Sequence, residues 1–186
     1  LASLLGCNTE EIIYTSCGTE SDNLAIFGSL EALGGNKRHI VTTMVEHPAV
    51  KNSIAHLAKK GYQVTELGVD EQGMLNMEQV KSAITSETAL VSVMYANNET
   101  GVIFPIEEIG QIAKEKGAIF HVDAVQAVGK IPLNLKNSTI DFLALSGHKI
   151  HAPKGIGALY VRKGTRLRPT LIGGHQERGR RGGTEA

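Results

Sequence analysis

Apolar runs alternate with helical periodicity along nearly the whole chain. Glu11 to Thr15 reads as a strand, and Thr19 to Leu33 as a helix ended by Gly34-Gly35, because glycine turns a chain left-handed past a helix end without steric cost. His39 to Met44 is a strand and Ala49 to Lys60 a helix stopped by Gly61. Gln63 to Val69 is a further strand before a helix near Met77 to Ile84. Ala89 to Ala96 is a β-rich run of the kind buried in a sheet core. Pro105 suits the first position of a helix reaching Lys116. Ile119 to Ala124, Asp141 to Ser146 and Ile156 to Val161 complete the strands.

Repeated strand–helix units predict an α/β fold of three layers, a mostly parallel sheet with helices on both faces. Ligands of such sheets sit at the carboxyl ends of the strands. Five polar clusters fall just there: Ser16 to Thr19, Glu46-His47, Asn97-Asn98, Asp123 to Gln126, and Ser146 to Lys149. Their convergence is the main functional clue in the chain.

Composition narrows the picture. With 186 residues there is enough chain for one sizeable core. Lys plus Arg and Asp plus Glu are 19 each, so no global field draws the protein to nucleic acid or to an anionic membrane. No apolar run approaches the ~18–20 residues of a membrane span, and Leu1 to Leu5 lack the basic and apolar regions of a signal peptide. Cys7 and Cys17 make no disulfide framework, which fits a reducing compartment, by default the cytoplasm. The chain begins at Leu1 and stops at Ala186 beyond an Arg/Gly-rich stretch, so a fragment of a longer protein is expected.

Each cluster has a plain reading and a chemical one. In Ser16 to Ser21, Gly18 would let backbone approach a ligand, and Thr19 with the free N–H groups of a helix start would hold an anion. The plain alternative is an ordinary helix cap. GxxxxGK[ST] and GxGxxG do not occur, which argues against the familiar nucleotide loops. Ser146 and His148, two apart, can reach one side and a second edge of the same phosphate. Lys149 would then lie beside it, where a desolvated lysine can form a Schiff base, although lysines are more often simply exposed. Asp123, ending a strand, needs a partner. The pyridine nitrogen of pyridoxal 5'-phosphate (PLP) would be one, with Gln126 near the ring's phenolic oxygen, and capping is the competing role. His47 could stack on such a ring or sit at the surface. Asn98 could serve cofactor, substrate or an Asx-turn. His148 and His151 lack neighbouring thiols or carboxylates, and HExxH and CxxC are missing, so no metal site is expected. The arginines between Arg162 and Arg181 lack interleaved aromatics and read as a solvated or subunit-facing loop.

Taken in order, Thr15-Ser16-Cys17-Gly18-Thr19-Glu20-Ser21-Asp22-Asn23, Glu46-His47-Pro48-Ala49-Val50, Val91 to Gly101, His121-Val122-Asp123-Ala124-Val125-Gln126 and Ser146-Gly147-His148-Lys149 resemble the cysteine desulfurases. These are class-V aminotransferases among the fold-type-I PLP enzymes. The stretch Gly173 to Glu185 is similar to the NifS/IscS branch.

The resemblance implies that residues 1–186 are a PLP-binding large domain, truncated at both ends and without the small C-terminal domain. It implies that Lys149 carries PLP as a Schiff base and moves the substrate's α-proton. Gly18, Thr19, Ser146 and His148 would hold the phosphate, Asp123 the pyridinium and Gln126 the phenolic oxygen. His47 would stack on the ring, and Asn98 would lie between cofactor and substrate carboxylate. Thr184 would reach the phosphate of a partner subunit, making a homodimer. The implied reaction converts L-cysteine to alanine and an enzyme persulfide that feeds an iron–sulfur scaffold protein. The family's nucleophilic cysteine and substrate-binding arginine lie beyond this sequence, and neither Cys7 nor Cys17 is expected to replace the former. The chain alone is therefore expected to bind PLP without completing desulfuration. A selenocysteine lyase, a kynureninase-like PLP enzyme, a non-catalytic PLP-binding fragment and a phosphosugar or nucleotide module are the competing readings.

Overall fold

In a computed structural model, residues 1–185 are described, and they form one seven-stranded sheet with helices on both faces. A short helix α1 (Ala2–Leu5) ends at Gly6, whose φ of 63° is left-handed, and a 3₁₀ turn (Thr9–Glu11) leads into β1 (Ile12–Thr15). Then follow α2 (Gly18–Leu33), β2 (His39–Thr43), α3 (Pro48–Lys59), β3 (Gln63–Leu67), α4 (Met77–Ala83), β4 (Thr88–Ser92), α5 (Ile106–Glu115), β5 (Ile119–Asp123), β6 (Phe142–Ser146) and β7 (Gly157–Val161). The strand order is β1-β7-β6-β5-β4-β2-β3.

The central strands are buried on both sides, so apolar residues predominate in them without strict alternation, and successive side chains serve opposite layers. On β6, Phe142 and Ala144 pack with Leu24 and Ala25 of α2, whereas Leu143 and Leu145 join Ile106, Ile109 and Ala113 of α5. On β2, Ile40 meets Ile26 and Leu30 of α2 and Val50, Ile54 and Leu57 of α3, while Val41 faces the α5 side. Helices α2 and α3 thus cover one face, and α1, α4 and α5 the other. Helix α2 is buried on nearly all sides, because residues 167–168 cross its outer face. Arg168 N–H donates to Gly28 C=O at 3.0 Å, and a Cβ on Gly28 would lie 2.4 Å from Arg168 C=O.

The sequence-derived elements are all present, with shifts at their ends. Pro105 caps α5 instead of occupying its first turn. The run Ala89 to Ala96 leaves regular pairing at Ser92, yet Val93 and Tyr95 N–H still donate to His121 and Asp123 C=O at 3.2 and 2.8 Å. Strand β7 is antiparallel to both its neighbours, β1 and β6. A run buried along its whole length carries no signal of strand direction, so this reversal is not legible in the pattern. No described helix is long and apolar enough to cross a membrane.

Candidate active site

At the carboxyl ends of the parallel strands lies a cavity of about 270 Å³. It gathers nine of the ten sequence-derived site residues: Gly18, Thr19, His47, Asn98, Asp123, Gln126, Ser146, His148 and Lys149. The tenth, Thr184, is exposed and lies outside the cavity. Cys17, Asp22, Met94, Ala96 and Val125 complete the lining.

One end of the cavity is an anion cradle. The first backbone bond of α2 runs from Ser21 N–H to Cys17 C=O at 3.1 Å, which leaves the N–H groups of Gly18, Thr19 and Glu20 without intrahelical acceptors. Cys17 stands at the cap position without a side-chain capping bond, so nothing from that side chain competes for these donors. Packing requires a glycine at position 18. A Cβ there would lie 2.8 Å from Val125 Cγ2 and 3.3 Å from Ser146 Cβ. Opposite, Ser146 Oγ and His148 Nδ1 are 2.8 Å apart and form one polar edge.

The 3₁₀ turn Gly147–Ile150 carries Lys149. Gly147 is buried, and a Cβ on it would meet Ile156 Cγ2 at 2.8 Å. His151 closes the turn in the left-handed region at φ 65°, a conformation that favours glycine, and Ala152 N–H donates back to Gly147 C=O at 3.0 Å. Lys149 is exposed, and the described residues do not provide the desolvation that the sequence reading expected around its ammonium.

The other end is carboxylic. Asp123, the last residue of β5, is only 5% exposed, and its Oδ1 accepts from Val125 N–H at 2.9 Å. Burial is the chief cause that pushes its pKa up to about 7. His47 is exposed at the cavity edge, and its Nδ1 accepts from Ala49 N–H at 3.1 Å, capping α3. That bond assigns its proton to Nε2. Glu46 is buried and pushed up to about 8 chiefly by desolvation, while Thr43 Oγ1 at 2.7 Å and Met94 N–H at 3.0 Å donate to its Oε1.

Asn97 builds the turn that carries Asn98. Its Oδ1 accepts from Glu99 and Thr100 N–H, both at 2.9 Å, and its Nδ2 donates to Val45 C=O at 3.1 Å. The Asx-turn weighed for Asn98 therefore belongs to Asn97, and Asn98 is left to face the cavity. Gln126 Oε1 accepts from Lys130 Nζ at 2.9 Å. Arg181 holds the C-terminal segment against the cradle helix, its Nε donating to Glu20 Oε1 at 2.7 Å and Nη2 to Oε2 at 3.2 Å.

Asp22 is the residue that sequence reasoning missed. Within the cap-like string Thr19-Glu20-Ser21-Asp22 it reads as a first-turn acid, yet it lies on the buried face of α2, four residues after Gly18. That helical spacing was the available signal.

The aminotransferase class-V family model matches residues 1–181. The chain belongs to this family. Among curated relatives of this class-V chain, a cysteine desulfurase of Nostoc sp. is 65% identical over 185 residues, covering 100% of this chain and 46% of that protein. The cysteine desulfurase NifS of Azotobacter vinelandii is 57% identical, covering 98% and 45%. The chain thus spans about half the length of these relatives. A solved NifS-like protein superimposes with a TM-score of 0.95 at 44% identity, covering 99% of this chain and 51% of that one. A structure described as SspA in complex with cysteine does so at 0.93 and 42%, covering 99% and 54%.

Proposed function

We propose that this chain is the cofactor-binding part of a PLP-dependent cysteine desulfurase, which converts L-cysteine to L-alanine and a protein persulfide. The observation that carries the reading is the polarity of one cavity, with anion donors from α2 and β6 at one end, a buried carboxyl on β5 at the other, and an amine beside them. That donor set fits a molecule with a phosphate, an aldehyde and a ring nitrogen, and the relatives' names agree with it.

In this reading the N–H groups of Gly18 and Thr19, with Ser146 and His148, hold the phosphate. Asp123 holds the proton of the ring nitrogen. Gln126 turns from Lys130 to the phenolic oxygen, and His47 lies against the ring with Nε2–H free to exchange a proton. PLP, when bound, supplies the electron sink for the pair released at the substrate α-carbon. Lys149 Nζ removes and returns the α-proton, and Asn98 orients the substrate carboxylate. Thr184 reaches the cofactor phosphate of a partner subunit in a homodimer. Sulfur passes to a cysteine outside this chain and then to an iron–sulfur scaffold protein in the cytoplasm. Cys7 is unsuited to that attack, because burial, then the nearby Glu11, raise its thiol to about 11 and leave little thiolate at neutral pH.

The test is borohydride reduction of the PLP-treated protein followed by peptide mapping. A pyridoxyl label on Lys149 supports the reading. Its absence from Lys149, or a label that survives Lys149→Met, refutes it.

A further inference from the structure

Behind Asp123 lies a polar pair that the reading above does not use. Asp22 of α2 and His121 of β5 are both buried, and Asp22 Oδ1 lies 3.3 Å from His121 Nε2. Neither atom has a hydrogen-bond partner otherwise, and no described lysine or arginine pairs with Asp22. His121 Nδ1 is 2.9 Å from Ser92 Oγ on the neighbouring strand β4. Asp22 also lines the cavity that holds Asp123.

We propose that Asp22 is a positioning residue that carries a proton at neutral pH and donates it to His121 Nε2, so that the cavity presents a single negative charge, Asp123, to the ring nitrogen of the cofactor. The proposal rests on the PLP reading for its consequence, although not for its geometry. The groups facing Asp22 are His121 and Asp123 from β5 and Glu46 from the turn before α3, and His47 of that turn lines the same cavity. His148 and Lys149 line the same cavity from the turn after β6.

Burial pushes His121 down to about 4, so the imidazole is neutral at pH 7 and carries one N–H. If that N–H sits on Nδ1 and points at Ser92, Nε2 is a bare acceptor. An ionised Asp22 would then oppose lone pairs to lone pairs across 3.3 Å in the protein interior. If the N–H sits on Nε2, Asp22 is a buried anion with one neutral donor, beside two further buried carboxyls. A proton on Asp22 satisfies both orphaned atoms with one hydrogen bond and removes the surplus charge. Burial holds the Asp22 carboxyl well above its usual range, in keeping with this assignment. With Asp22 neutral, one carboxylate meets one pyridinium, and no buried anion is left over.

The experiment uses the whole protein as purified and compares it with Asp22→Asn, whose amide also donates to Nε2. A carboxyl with a raised folded-state pKa costs stability as pH rises above the unfolded value, and Asn does not. The thermal midpoint of D22N is therefore expected to exceed wild type by about 3 °C or more at pH 8, and by under about 1 °C at pH 4. A difference that is independent of pH, or one that turns against D22N as pH rises, overturns the proposal. The nitrogen-15 resonances of His121 in wild type give a reading that needs no variant: Nδ1 protonated is expected, and Nε2 protonated refutes. The pH midpoint of PLP binding is expected to stay within about 0.3 unit in D22N, whereas a downward shift would mean that Asp22 had been an anion beside Asp123. Labelling of Lys149 in wild type tests the cofactor reading separately, so the two can fail independently.

Discussion

Adding one methyl group at Gly18 probes how closely the cradle is built. Gly18 has no left-handed backbone requirement, so Gly18→Ala is conformationally allowed and the effect is steric. The new Cβ would sit 2.8 Å from Val125 Cγ2, against the ~3.5–4.0 Å of a good carbon contact. Relieving it requires α2 and the turn after β5 to part by roughly 1 Å, and overpacking of this kind costs about 1–3 kcal/mol. The same shift draws the Gly18 and Thr19 N–H groups away from the phosphate that, in the proposed reading, Ser146 and His148 hold on the other side. A loss of about 1.4 kcal/mol in binding is a tenfold rise in Kd. PLP titration followed by absorbance is expected to show G18A weakened by about tenfold or more, with Val125→Ala in the same chain recovering most of the loss. The ratio of the four dissociation constants isolates the contact between the two side chains. Unchanged affinity in G18A, or no recovery in the double variant, would show that the close approach of α2 to Val125 does not set the cradle.

Three further outcomes follow from the same geometry. Asp123→Asn removes a buried carboxyl whose pKa is raised to about 7, a cost on the order of 4 kcal/mol that is absent near pH 4 and accrues as pH rises to 7. Urea unfolding of the as-purified protein is expected to show D123N more stable at pH 8 and equal at pH 4, while PLP affinity collapses. Asn97→Ala strips the acceptor of Glu99 and Thr100 N–H and frees Val45 C=O, so it is expected to lower stability by about 2 kcal/mol and to weaken cysteine binding through Asn98. Iodoacetamide at pH 8 is expected to modify Cys17, at the mouth of the cradle, well before Cys7, and PLP is expected to protect Cys17.

The fold could be read from the chain because its signals are local. Gly34 at φ 68° ends α2 where the Gly-Gly pair indicated, and the five polar clusters stand at strand ends because a parallel sheet aligns those ends. What could not be read depends on distant partners. The reversal of β7 is decided by how it seats between β1 and β6, and five consecutive buried residues contain no record of it. Asp22 escaped notice because a short acidic side chain near a helix start has an ordinary explanation, and only the position of His121 across the layer removes it. Lys149, which the sequence pattern places in a desolvated setting, is exposed on the short turn that follows β6, and exposure of one loop side chain leaves no mark in the pattern.

The placement of β7 fixes when the anion cradle can exist. Ile12 pairs with Tyr160 and Thr15 with Gly157, and the helix start is seated on that late strand: Ser21 Oγ donates to Ala158 C=O at 3.0 Å, and Gly157 has no room for a Cβ beside Cys17. A ribosome releases α2 well before β7, so the first turn of α2 stays without its seat until residue 161 has emerged. A nascent chain halted before β7 would therefore display α2 without the strand that seats its first turn.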